Sequence, residues 1–147
     1  MAFVENKKAH FDYEFLETYS AGAELFGYEV KAIRAGKASL LGARVLVRGG
    51  EVFLVGASIS PYQEKNTPAS YDPERARRLL LSKKEILELA EQDGKRGLTI
   101  IPIKWYNGNR KVKLEFAVAR HKKRYDKRAL LKAKDTKRHI DRTLKGE

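Results

Sequence analysis

Apolar and polar positions alternate in steps of two along much of this chain, and elsewhere they recur three or four apart. After a short basic lead-in from Asn6 to His10, Phe11, Tyr13 and Phe15 alternate with Asp12 and Glu14, which predicts a half-buried strand. Ala21 to Leu25 forms a second strand or extends the first past a bulge at Gly22. Between Gly27 and Gly36, the spacing of Glu29, Val30, Ile33 and Arg34 predicts a short helix with Val30 and Ile33 inward. That helix leaves Lys31, Arg34 and Lys37 facing water.

Val45 and Val47, then Val52 to Val55, flank Gly49-Gly50, a dipeptide that supplies the positive φ of a tight hairpin. Ser58 to Pro73 has no periodicity and reads as a surface loop, and the apolar run Leu79 to Leu81 is too short to assign. Ser82 with Glu85 makes a capping box, opening a helix with Ile86, Leu89 and Ala90 on one stripe and a stop at Gly94. Leu98 to Tyr106 and Lys111 to Val118 are two strands around Asn107-Gly108-Asn109. The second puts Val112, Leu114, Phe116 and Val118 on one face. Pro102 cannot donate to a ladder and marks an edge or a bulge. The pattern describes a mainly β chain with helices in the connections, a small antiparallel sheet most cheaply closed as an OB-like β-barrel. It divides the chain into a barrel over 1–119 and a tail over 120–147. In the tail Leu130, Ala133, Ile140 and Leu144 keep helical spacing but Lys137 interrupts them, so it is expected to be disordered alone and helical against a polyanion.

Charge changes the picture. The chain of 147 residues carries +12, and from Arg120 onward twelve lysines and arginines face four acids, so the tail holds +8 of it. Lys31, Arg34 and Lys37 form one further basic group, and Arg75, Arg77 and Arg78 another. Any one such run could be a solvated face, but three of them beside an OB-like pattern point to RNA. Tyr125, inside the run Arg120 to Arg128, offers a surface for a base to stack on. Anionic lipid fits less well, because the tail lacks the broad apolar face of an interfacial helix, and no apolar run is long enough to span a membrane. There is no cysteine, which excludes disulfides and thiolate metal sites, and the N-terminal stretch lacks a secretory signal's apolar segment. His10, His121 and His139 stand at no metal-ligand spacing and read as surface residues. Asp12 and Glu14 read as a solvent face, and Gly36 to Ser39 departs from a phosphate-loop pattern. No nucleophile motif is present, so a non-enzymatic, cytoplasmic, monomeric protein without cofactor or metal is expected.

At Asn6 with Ala9, Gly27 to Lys31, Arg34 to Lys37, Asp72-Pro73 with Arg75, Arg77 to Leu81, Gly97 to Thr99 and Lys122 to Arg128, the sequence resembles the small protein B family. These SsrA-binding proteins partner transfer-messenger RNA in bacterial ribosome rescue. The resemblance implies an OB-like body gripping the tRNA-like end of that RNA, and a tail folding as a helix in the small subunit's decoding centre and vacant mRNA channel. By position it assigns RNA binding to Asn6, with the adjoining Lys7, and to Leu80, and backbone contacts to Lys31, Arg34 and Lys37. Arg75, Arg77 and Arg78 join that surface. In the tail it implies Tyr125 stacked on a decoding-centre base, Asp126, Lys127 and Arg128 as an accommodation motif, and Lys122 and Lys123 at its root. Ser20 stands where the family usually has Glu, and His121 where it tends to have a hinge Gly. The alternatives are a ribosomal protein or general RNA-binding translation factor with a basic tail, which would co-purify with every ribosome, and an RNA-processing enzyme, which would cleave its RNA.

Overall fold

The computed structural model describes residues 2–63, 65 and 67–123. Seven strands form one antiparallel sheet in the order β1 (Ala2–Glu5), β8 (Leu98–Gly108), β9 (Lys111–His121), β2 (Tyr13–Ala23), β7 (Arg77–Leu80), β5 (Glu51–Val55) and β4 (Arg44–Arg48). A separate two-residue ribbon joins β3 (Ala38–Ser39) to β6 (Ser58–Ile59). The helices are α1 (Lys7–Asp12), α2 (Gly27–Arg34) and α3 (Lys83–Gln92).

The sheet curls because β2 changes partners along its length. It pairs with β9 from Tyr13 to Ala21, with a bulge between Phe15 and Glu17, and then with β7 at Gly22 and Ala23. The curl brings β4 against β8, giving an OB-like barrel whose ladder runs from β1 to β4 and stays open between them. One core fills it. Leu114, Phe116 and Val118 of β9, Trp105 of β8, Leu54 of β5 and Leu79 of β7 point inward, sealed by Ile33 of α2 and Leu89 of α3. The alternation of β9 is what places its three residues on one side.

Several elements differ from the sequence expectation. Phe11 belongs to α1, not to a strand, because the Asn6 side chain accepts the Ala9 amide hydrogen at 3.2 Å and nucleates a helical turn whose Ala9 is buried. The bulge expected at Gly22 falls instead between Phe15 and Glu17, and Ala21 to Ala23 continue β2. The surface loop contains β6, and Leu79 lies in a central strand paired on both sides. Pro102 is buried in an interior strand beside a register shift, so the bulge reading holds and the edge reading does not. The turn before β9 is Asn109-Arg110, both with positive φ, rather than Asn107-Gly108-Asn109, because Asn107 and Gly108 pair in the ladder. On α2, Ala32 and Ile33 are the apolar side chains fully inside, while Val30 is half-buried.

β9 also outlasts the apolar alternation that ends at Val118. Arg120 and His121 pair with Glu14 and Tyr13, the His121 and Tyr13 rings lie 4.2 Å apart, and the Lys122 amide donates to Asp12 O at 2.9 Å. His121 is therefore a ladder residue where a hinge was expected. Ending the chain after Lys123 should leave the urea midpoint unchanged. Ending it after Ala119 removes these hydrogen bonds and should cost on the order of 1–3 kcal/mol, read as a lower midpoint at the same cooperativity. Equal midpoints for the two truncations would show that the end of β9 contributes nothing.

Candidate nucleic-acid interface

The helix that carries Lys31 and Arg34 begins at Gly27, after an extended Phe26 whose side chain has no acceptor for capping. Glu29, three residues on, supplies the cap: its Oε1 accepts the Phe26 amide hydrogen at 2.8 Å. Glu29 is fully buried, and two arginines from the strand side converge on it. Arg77 donates from Nε at 3.1 Å and from Nη2 at 2.7 Å to Oε2. Arg75 donates from Nε to Oε2 at 3.2 Å and makes a short ion pair from Nη2 to Oε1. Burial raises the Glu29 carboxyl, but hydrogen bonds from Arg75, the Phe26 amide and Arg77, with the Arg77 charge, outweigh it and hold the group below its usual value.

The network reaches the surface loop. Arg77, fully buried, also donates to Ala57 O at 2.8 Å, Pro73 O at 2.9 Å and the Tyr71 hydroxyl at 3.0 Å. That hydroxyl lies 2.8 Å from Ile59 O and 3.0 Å from Glu29 Oε2, so its one proton stays engaged. Burial, with the bond to Glu29 and its charge, pushes the Tyr71 hydroxyl up to about 12. The expected cluster Arg75, Arg77 and Arg78 is thus not one surface. Arg77 faces inward and reaches no solvent, because successive strand residues point to opposite faces. Arg75 stacks over the Phe26 ring at 4.4 Å and donates to Glu24 O at 3.2 Å. Arg78 faces outward and pairs with Glu24 at 2.5 Å and Glu51 at 3.6 Å.

The α2 group is different. Lys31, Arg34 and Lys37 are exposed, and among the described residues none makes an ion pair. Arg34 is oriented: its guanidinium lies 5.4 Å from the Phe3 ring centroid and donates from Nη2 to Arg110 O at 2.8 Å. Lys37 sits 5.5 Å from the exposed Tyr62 ring. Exposed cations without acidic partners, one of them beside the exposed Tyr62 ring, suit a phosphate backbone with exposed bases.

Asn6 is a buried strut. Its Nδ2 donates to Pro102 O at 3.0 Å and Leu40 O at 3.3 Å, tying the start of α1 to β8 and to the segment after α2. Lys7 and Lys8 beside it are exposed. Leu80 is 48% exposed on the outer face of β7, opposite Gly22, so it shapes a surface without offering a charge. Ser20 shares a short hydrogen bond with the Tyr106 hydroxyl on the outer face. At the other end of β9, Lys122 Nζ donates to His10 O at 2.9 Å, which roots the tail on α1, and Lys123 follows, exposed. Tyr125, Asp126, Lys127 and Arg128 lie outside the described residues. Sequence reading missed Glu29 and Tyr71 as network members. The signal for Glu29 was present, an acid at the third helical position, but its arginine partners lie 46 and 48 residues away.

Comparison with known proteins places these features in company. The family model described as SmpB protein matches residues 3–146. An SsrA-binding protein of Gloeobacter violaceus is 49% identical over 97% of this chain and 93% of its own length. Another, from Clostridium acetobutylicum, is also 49% identical, over 97% of this chain and 92% of its own. A chain of a solved structure described as "tmRNA-SmpB: a journey to the center of the bacterial ribosome" shares 42% identity. It superimposes with a TM-score of 0.69 over 82% of this chain and 84% of that one.

Glu29→Gln should destabilise the fold by about 3–5 kcal/mol at neutral pH, because it leaves the buried Arg77 charge unpaired. The folded carboxyl titrates below its usual value of 4.5, so its contribution is complete above that pH and fades as pH falls toward the folded value. Urea titrations of both proteins at neutral pH and well below 4.5 should therefore show the gap narrowing in acid. A gap independent of pH would show that the carboxylate charge is not what the site uses.

Proposed function

The chain belongs to the SmpB protein family, and on that premise we propose that it binds transfer-messenger RNA and partners it in trans-translation on stalled ribosomes. The observation that carries this reading is the separation of two basic regions along one strand. The α2 surface is fastened to the β8–β9 turn at Arg110 O, whereas the tail leaves from α1 at Lys122. β9 spans eleven residues between them, roughly 33 Å at strand rise. A body that holds one RNA at the α2 end leaves its tail free to enter a second RNA environment at the other end.

In this reading Lys31, Arg34 and Lys37 contact the backbone of transfer-messenger RNA, while Arg75 and Arg78 border that surface. Asn6 and Arg77 act from inside, Asn6 by setting α1 with Lys7 and Arg77 by anchoring β7 to α2. Leu80 supplies shape. The tail, with Tyr125, Asp126, Lys127 and Arg128, occupies the decoding centre and the vacant mRNA channel against small-subunit rRNA. The work is binding and not catalysis, and it takes place in the cytoplasm where ribosomes translate.

Lys31→Glu with Lys37→Glu removes two exposed cations that make no ion pair among the described residues. It should weaken binding of a transfer-messenger RNA transcript roughly tenfold or more and leave the melting midpoint nearly unchanged. The wild-type affinity should fall by orders of magnitude between about 50 and 200 mM salt. Unchanged affinity in the double variant would remove the α2 surface from the interface. For the tail, Tyr125→Ala should keep RNA binding but impair tagging on stalled ribosomes by about 1–3 kcal/mol of lost stacking, with Tyr125→Phe nearly silent. A damaging Tyr125→Phe would assign the role to the hydroxyl instead.

A further inference from the structure

The tightest backbone outside the glycines is the turn between β8 and β9. Asn109 and Arg110 have φ of 54° and 68°, the only non-glycine positive values among the described residues. A two-residue hairpin turn of this hand favours Asn followed by Gly. Asn tolerates the left-handed region, but at the second position an arginine carries a Cβ into a conformation that glycine would adopt freely. The fold keeps it there, and the carbonyl of that same residue is the acceptor for Arg34 at 2.8 Å. The turn is thereby held against the C-terminal end of α2, where Lys31 and Arg34 stand one helical turn apart. Arg110 is exposed, and neither it nor Lys111, which follows it, makes an ion pair among the described residues. A left-handed arginine that serves only as a turn residue is a poor choice; an exposed one whose backbone is tied to Arg34 has a use.

We infer that the β8–β9 turn is an RNA-contacting element in its own right, with Arg110 extending the α2 surface by a further contact to a backbone phosphate. The bond from Arg34 fixes the Arg110 backbone beside α2, so Arg34 acts both as a contact and as the residue that positions the turn. The inference rests on the transfer-messenger RNA reading above and names a part of that interface outside α2. Its ligand is the phosphodiester backbone of structured RNA, recognised by guanidinium geometry and not by base identity.

Arg110→Gly separates the two roles, because it relieves the turn and removes the charge together. Urea midpoints should rise or stay level, whereas the affinity for a transfer-messenger RNA transcript should drop about tenfold and the salt slope should shrink by about one. Arg110→Lys, which keeps charge and strain, should recover part of the affinity. If Arg110→Gly binds like wild type, or loses affinity only in step with stability, Arg110 is a turn residue and the inference fails while the reading above stands. If wild type shows no preference for the transcript over an unstructured RNA of equal length, both fall together.

Discussion

A carboxylate without exposed surface stays ionised only if cations come to it, and Glu29 draws two. Through that pair one side chain starts α2 by capping Phe26, holds β7 through Arg77, and closes the loop between β6 and β7 through Tyr71. Glu29 of α2 lies 46 and 48 residues from the arginines it meets, and α2 and β7 also send apolar side chains, Ile33 and Leu79, into the common core. Hydrogen bonds with defined directions add to that shared packing. The face of α2 that looks outward, with Lys31 and Arg34, is therefore set by what its other face holds inside.

The same chemistry separates the basic residues into two kinds. Arg77 spends its charge on a buried partner and has none to offer a phosphate, although it sits between two arginines that reach solvent. Arg78 is exposed yet already shares Glu24 and Glu51, and such exposed pairs contribute little and open readily to a stronger anion. Lys31, Lys37 and Arg110 have no acid to displace among the described residues, so contact with RNA costs them no ion pair. Net charge of +12 attracts any polyanion, but this division decides where on the body one can settle.

The open seam of the barrel serves the opposite end of the molecule. β4 meets β8 without a ladder, and α1 lies beside that gap, where Asn6, Ala9, Gly42, Arg44 and Thr99 line a cleft of about 650 Å³. Ala9 with Ile101 and Ala119 forms a second small apolar cluster on the outer face of the sheet. α1 is thus a clamp that covers the sheet, takes up the Asn6 bonds, and receives the tail's root through His10 O and Asp12 O. The clamp fixes the chain at Lys122, just past the end of β9.

The sequence by itself determined whatever depends on neighbours a few residues apart. The Gly49-Gly50 hairpin, the Ser82 capping box, the inward face of β9, the short α2 with its exposed cations and the basic tail are all local patterns of period two, period 3.6 or turn chemistry. The spaced matches to the small protein B family were legible for the same reason, and they carried the function. Only the tertiary structure decided which acid would be buried, that Arg77 would be lost to the surface and Asn6 to the interior, and that Arg110 would stand beside Arg34. Each of these turns on pairing between residues dozens of positions apart. No periodicity encodes such pairing, because a charge's role depends on whether the fold brings it an opposite charge or leaves it to water.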